Sequence, residues 1–164
     1  AAEAGHLDGV VIRNFNTFGG GQADSFLIPK LVKQALFDGR IEMWNCQPVR
    51  DFTYVEDTVR AISHLIKSED ARGIFNLGSG IPTRVGDLAC EVGRLLGAPV
   101  SCLNKEVTGS RYLLASNERI RRETGWEPEF DLEAGLARTI DWFRAIADPE
   151  SLRSSLSLPG RQAV

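Results

Sequence analysis

The chain has 164 residues and a mass of 18.0 kDa, with 43% hydrophobic and 25% charged side chains. That is ordinary composition for one globular domain and excludes wholesale disorder, where apolar content is too low to offset chain entropy. The balance of 19 basic against 22 acidic side chains gives a net charge of −3 and a pI near 5.5. This argues against general nucleic-acid binding, which rests on neutralising phosphates, but leaves room for a small basic pocket.

The first nine residues are a short polar lead into Val10-Val11-Ile12-Arg13, a β-branched run that reads as a buried strand. Phe15 to Gln22 is a Gly-rich loop. Ser25 is placed to cap a helix with Leu27, Ile28, Leu31, Val32, Ala35 and Leu36 on one face and Gly39 at its end. Ile41 to Trp44 reads as a short strand, followed by a turn with Asn45 and Pro48. Arg50 to Val55 is extended, and Asp57 is expected to cap a helix running to about Lys67, with Val59, Ile62, Leu65 and Ile66 inward. A strand at Ile74 to Leu77 closes on Gly78-Ser79-Gly80.

Thr83 is expected to cap the next helix, with Val85, Leu88, Val92 and Leu95 inward and Gly97 at its end. Val100 to Leu103 and Arg111 to Leu114 read as strands. Ser116 or Asn117 caps a short basic helix ending at Gly125, and Asp131 caps a last helix with Leu132, Leu136, Ile140 and Phe143 inward. The organisation is thus residues 1–146 as one folded portion and 147–164 as a loose tail without periodicity. Alternating strands and helices predict an α/β fold. The short strands, and a lead before Val10 too brief for a crossover, predict part of a larger fold.

Apolar runs of four or five residues are too short to span a bilayer, so no membrane partner is expected. The opening residues show no basic region ahead of an apolar core, so no signal peptide is expected. Cys46, Cys90 and Cys102 are odd in number and contain no CxxC, which predicts no disulfide framework or zinc site and a cytoplasmic protein. His6 and His64 stand alone and are not expected to ligate metal.

Three loops concentrate unusual residues. Phe15 and Asn16 directly follow a strand, where open α/β sheets bind ligands; on pattern alone a structural turn held by the Asn amide is the favoured alternative. Trp44 can stack on a planar base and Arg50 can fork onto phosphate, or Arg50 can pair with Asp51 or Asp57 under a surface Trp. The Gly78-Ser79-Gly80 turn lacks the third glycine of a dinucleotide fingerprint, since Thr83 stands there, and reads as a tight connection.

In order, the segments VVIRNFNTFG, FLIPKLVKQALFDGRIEMW, VRDFTYVEDTVRAI, GIFNLGSG and RRETGWEPEFDLEAGLARTIDWF resemble the C-terminal half of the extended short-chain dehydrogenase/reductase family. The members concerned are the nucleotide-sugar epimerases and 4,6-dehydratases. The resemblance implies the substrate-binding part of an extended Rossmann-type α/β fold, with the last strands of its parallel sheet. In such enzymes NAD or NADP takes a hydride from a sugar carbon, and the N-terminal half holds the cofactor and a Tyr-x-x-x-Lys pair. By resemblance Phe15 borders the nicotinamide and Asn16 bonds the diphosphate or adjoining sugar. Leu27, Pro29, Glu42 and Trp44 line the base pocket, and Arg50 binds phosphate of a nucleotide-diphosphate sugar.

Three positions depart from the family pattern: Gly20 replaces a Pro, Asn45 a Gly and Ser116 an Asp. Lys105 and Arg111 are both open as the second phosphate-binding cation. The tyrosines, Tyr54 and Tyr112, have Thr58 and Ser116 four residues on, so neither forms Tyr-x-x-x-Lys, and no G-x-x-G-x-x-G exists. Ala1-Ala2-Glu3 resembles the stretch after the catalytic Lys, so the chain is expected to start just past that motif. Catalytic residues are expected on the missing half, with a homo-oligomer or association with that half. The alternative is a non-catalytic binding or scaffold module derived from the same family.

Overall fold

The computed structural model describes residues 9–106 and 109–146. The expected tail from residue 147 lies outside them. Among the described residues β1 Val10–Asn14, β2 Asn16–Phe18, α1 Leu27–Lys33, β3 Ile41–Met43, β4 Val49–Tyr54, α2 Val55–Lys67 and β5 Gly73–Leu77 come first, with α1 continuing through a widened π turn, Gln34–Asp38, and with β2 standing in place of the expected loop. Then follow β6 Pro82–Arg84, α3 Val85–Leu96, β7 Val100–Cys102, β8 Tyr112–Leu113, α4 Glu118–Thr124 and α5 Leu132–Ile146. Gly39, Gly97 and Gly125 terminate their helices in the left-handed region, where a Cβ is disfavoured.

The strands form three small ladders. β1 pairs β5 in parallel from Val10 opposite Gly73 to Asn14 opposite Leu77. β4 takes β2 and β8 in parallel and β6 antiparallel. β3 pairs β7 in parallel, with Met43 opposite Cys102.

A larger core lies among α1, α3, α5 and β4, built on Ile28, Leu31, Val32, Leu88, Val92 and Phe143. A smaller one joins β1–β5 to α2 and α4 through Leu65, Phe75, Ile120 and Trp126. Gly20 is required by the first core's edge: a Cβ there would come within 2.5 Å of the Trp142 ring on α5.

Three expected caps are corrected. The N-cap positions of α1, α2 and α3 are Phe26, Tyr54 and Arg84, and none makes a side-chain capping bond, so Ser25, Asp57 and Thr83 do not serve. β4 runs straight into α2 and β6 into α3, so the last strand residue, already extended, is the N-cap. Asn117 stands at the N-cap of α4 as expected but makes no capping bond, its amide donating to the Gly78 carbonyl at 2.8 Å, and Asp131 caps as expected, accepting the Ala134 N–H at 2.8 Å.

Asp57 instead lies buried in the first turn of α2. It accepts the Glu129 and Phe130 N–H groups at 2.9 and 3.0 Å, together with Arg60. This anchor fixes the rotation of α2. The stripe Asp57, Thr58, Ala61 and Leu65 faces inward, so Leu65 is inward as expected and Val59, Ile62 and Ile66 are not. Val59 is 57% and Ile66 78% exposed.

The cysteine expectation is also corrected: Cys46 and Cys102 form a disulfide, their Cα atoms 6.1 Å apart, while Cys90 is free. The β3–β7 ladder brings the two together across 56 residues of sequence. Among the described residues no His, Cys, Asp and Glu group is arranged to hold a metal, and no helix is long and apolar enough to cross a membrane.

Asp51 is the most heavily bonded side chain of the fold. Its Oδ1 accepts the Ser79 N–H and Oγ–H, both at 2.7 Å, and the Thr53 hydroxyl at 3.3 Å. Its Oδ2 accepts the Gly80 N–H at 2.9 Å and the Ala115 N–H at 3.2 Å. Gly78 permits this approach, since a Cβ there would meet Asp51 Oδ2 at 2.7 Å and Ala115 Cβ at 2.4 Å. Asp51→Ala would strand three backbone donors, each costing about 1–3 kcal/mol when buried and unpaired. We expect a loss of at least ~3 kcal/mol in urea unfolding, with Asp51→Asn intermediate; an Ala variant within ~1 kcal/mol of wild type would refute the assignment.

The β1–β5 pair is covered on one face only. Ile12 and Phe75 face the small core, whereas Val11, 53% exposed, and its register partner Ile74, 39% exposed, face away. Parallel strands are normally covered on both faces, and such a bare apolar surface promotes association. Light scattering of the isolated chain is expected to show concentration-dependent self-association that the double variant Val11→Lys, Ile74→Lys abolishes. A strictly monomeric wild-type chain at high concentration would contradict this.

Candidate functional site

β4 is the spine of the candidate site because successive strand residues face opposite ways. Asp51 points into the protein, so Arg50 points out beside the loop before β8. The Arg50 guanidinium donates to its own Val49 carbonyl at 2.8 Å and to the Ser110 carbonyl at 2.7 Å. It thereby faces a cavity of about 510 Å³ lined also by Asn45, Gln47, Glu106 and Arg111. Of the two open candidates for a second cation, Arg111 lies in this cavity and Lys105 does not.

The β3–β7 ladder builds the neighbouring cavity. It continues past the strands: Leu103 N–H donates to Met43 O at 2.8 Å and Lys105 N–H to Trp44 O at 2.8 Å. Trp44 is left 62% exposed, with the Lys105 ammonium 5.3 Å from its ring centroid, a cation–π contact. The cavity beside it, about 430 Å³, is lined by Leu27, Leu31, Met43 and Val85 on its apolar walls and by Gln34 and Glu42 among its polar groups. Asn45 is on the wall of both cavities. The Cys46–Cys102 bridge lies just beyond it, tying the loop after β3 to β7.

The residues singled out from sequence therefore fall in several places. Leu27, Glu42 and Trp44 share one cavity and Arg50 borders the next. Pro29 is buried within α1. Asn16 lines a small recess of about 50 Å³ with Leu27 and Phe52, and its amide Nδ2 donates to the Asp51 carbonyl at 2.9 Å. Phe15 is half-buried at the end of β1, its N–H on the Leu77 carbonyl at 2.9 Å. Gln34 was not among the expected site residues; the one signal for it, its place on a helix face one turn beyond Lys30, is shared with many surface glutamines.

The Gly78-Ser79-Gly80 turn does not offer a phosphate cradle, because the N–H groups of Ser79 and Gly80 are committed to Asp51. Those two N–H groups are therefore closed to a cofactor phosphate. Burial, and then the Glu56 carboxylate, push the Tyr54 phenol above its ordinary value.

Residues 1–78 match the family described as the NAD dependent epimerase/dehydratase family. GDP-6-deoxy-D-mannose reductase of Pseudomonas aeruginosa is 29% identical over 147 residues, which cover 81% of this chain and 47% of that protein. dTDP-glucose 4,6-dehydratase of Streptomyces griseus is 30% identical over 142 residues, covering 84% of this chain and 43% of that protein. The crystal structure of Thermotoga maritima UDP-glucose 4-epimerase with UDP-glucose superposes with a TM-score of 0.78 at 26% identity, covering 88% of this chain and 48% of that one. The chain spans about half the length of the curated relatives it matches. A mixed α/β fold with parallel ladders, the ordered motifs around β1, β4 and β5, and these likenesses agree: the chain is similar to the NAD dependent epimerase/dehydratase family, whose model it matches over residues 1–78, and shares the Rossmann-type α/β fold of its structural neighbours.

Proposed function

We propose that this chain is the C-terminal, nucleotide-sugar-binding portion of an NAD(P)-dependent nucleotide-sugar epimerase or dehydratase. The relatives are named for GDP-, dTDP- and UDP-sugars, so a nucleoside diphosphate is their shared element. The observation that carries the reading is the pair of arginines, Arg50 and Arg111, lining the cavity that adjoins the Trp44 cavity through Asn45. A flat aromatic beside two arginines suits a base followed by a diphosphate. Arg50 has five N–H donors, of which two are engaged, so it can brace the loop and still grip phosphate oxygens. Glu106 on the same wall opposes anion binding and tempers its strength.

Asn16 has one amide N–H engaged by the Asp51 carbonyl, which leaves its second N–H and its carbonyl for the diphosphate or the adjoining sugar. Phe15, at the end of β1, is placed to border the nicotinamide. Since the glycine turn is occupied by Asp51, NAD or NADP is held mainly by the other half of the protein, and the bare face of β1–β5 is where that half, or a second copy, would pack. The cytoplasmic placement argued from cysteine count loses that ground in the Cys46–Cys102 bridge, because disulfides persist in oxidising compartments.

A second reading, a non-catalytic module of the same family, is favoured by Ser116 in place of an acidic residue and by Tyr54 and Tyr112 lacking their Lys. An in-frame G-x-x-G-x-x-G and Tyr-x-x-x-Lys upstream decides for the first reading.

On the first reading the isolated chain is catalytically silent. Purified alone with NAD and a panel of nucleotide sugars, it should give neither NADH nor epimerised product; turnover would contradict the assignment.

Arg50→Lys keeps the charge but loses the planar fork, and should already weaken binding of UDP, GDP or dTDP by the complete protein. Arg50→Ala should cost tenfold to hundredfold, the worth of charge-assisted bonds at ~1.5–3 kcal/mol. Because Arg50 also holds Ser110, its Ala variant should melt slightly lower; Arg111→Ala serves as the companion that weakens affinity with an unchanged melting temperature. Full affinity in both Ala variants would remove the diphosphate from this cavity.

A further inference from the structure

The cavity under Trp44 carries more information than an aromatic platform requires. Gln34 and Glu42 both line it, and both line the adjoining recess of about 260 Å³. Their polar roles are fixed differently. Gln34 Oε1 accepts the Glu42 backbone N–H at 2.7 Å, which engages one lone pair of its carbonyl and fixes the amide orientation, and its Nε2 is the donor group. The Glu42 carboxylate is an exposed group that can only accept. The helix widens into its π turn at Gln34 itself, a distortion frequently found at functional sites.

A donor and a carboxylate acceptor on one wall sort the bases. Guanine presents an acceptor, O6, beside two donors, N1–H and N2–H₂. Uracil and thymine present a single N3–H between two carbonyl oxygens, so a carboxylate that accepts this proton sets its second oxygen against a carbonyl. Cytosine and adenine offer one donor group next to a ring-nitrogen acceptor, which a carboxylate opposes. Lys30, on the same cavity wall, is a further donor suited to O6 or N7.

Resting on the nucleoside-diphosphate reading above, we propose that this cavity selects guanine. Glu42 accepts from N1–H and N2–H₂, Gln34 donates to O6, and Trp44 stacks on the purine after Lys105 has left its ring. The substrate class is then a GDP-sugar.

Calorimetric titration of the complete protein with GDP, IDP, UDP, dTDP and CDP tests this. GDP is expected to bind at least about tenfold more tightly than the three pyrimidine nucleotides, since each bidentate base contact discriminates by about tenfold to a hundredfold. IDP, which lacks only N2–H₂, should fall between. Glu42→Gln should weaken GDP by about tenfold while leaving UDP within about threefold. Because the GDP–IDP comparison uses wild-type protein, it stands even if the variant folds poorly. Equal affinity for GDP and UDP, or for GDP and IDP, overturns the guanine assignment and leaves the nucleoside-diphosphate reading intact. Failure of every nucleotide to bind overturns that reading, and the base assignment with it.

Discussion

The buried carboxylate of Asp51 is the constraint on which the rest of the molecule depends. A charge taken out of water is costly unless its oxygens are satisfied, and here both are, by the turn after β5 and the segment before α4. One side chain of β4 thus fixes three stretches far apart in sequence. The alternation of the strand converts this inward demand into an outward result. With Asp51 committed to the interior, Arg50 has only the cavity side, and its position relative to the Trp44 platform follows. The glycine turn that in other sequences could greet a phosphate is consumed as scaffold.

Asp57 repeats the device one helix turn later. Its carboxylate gathers the chain before α5, and its carbonyl accepts the indole N–H of buried Trp126 at 3.1 Å. The two aspartates therefore pin the larger core to the smaller one. The RDFTYVED segment, read as a family mark, is physically a pair of buried anchors, with Arg50 as its one outward-facing cation.

What the sequence made legible was mostly local. Glycine terminators, the β-branched run of β1 and the amphipathic faces of α3 and α5 each follow from residues within one turn or one strand. The misplaced features are those decided at a distance. Helix starts at Ser25, Asp57 and Thr83 look like caps, but strand residues enter α2 and α3 directly and leave no room for them. Periodicity on α2 shows that Val59, Ile62 and Ile66 share a face, not which surface meets it; Asp57 decides that. The cysteine bridge depends on the β3–β7 register, which no spacing rule reveals. In the site, Leu27, Glu42 and Trp44 line one cavity, whereas Pro29, expected beside them, is buried within α1. That Arg111 rather than Lys105 lines the Arg50 cavity depends on the ladder that holds Lys105 alongside Trp44.

The ladder pattern has a consequence for how the chain reaches this state. Every pairing of strands among the described residues joins segments separated by at least one helix, and none is a hairpin. Loop-closure entropy must therefore be spent before any interstrand bond forms. Helices can appear early from local sequence alone, whereas β1, β3 and β4 wait for partners still distant along the chain. Folding of this molecule is accordingly slow for its size, and its β-branched strands stay unpaired longest. The period of greatest vulnerability to misassembly is the interval between helix formation and the meeting of β4 with the Gly78 turn.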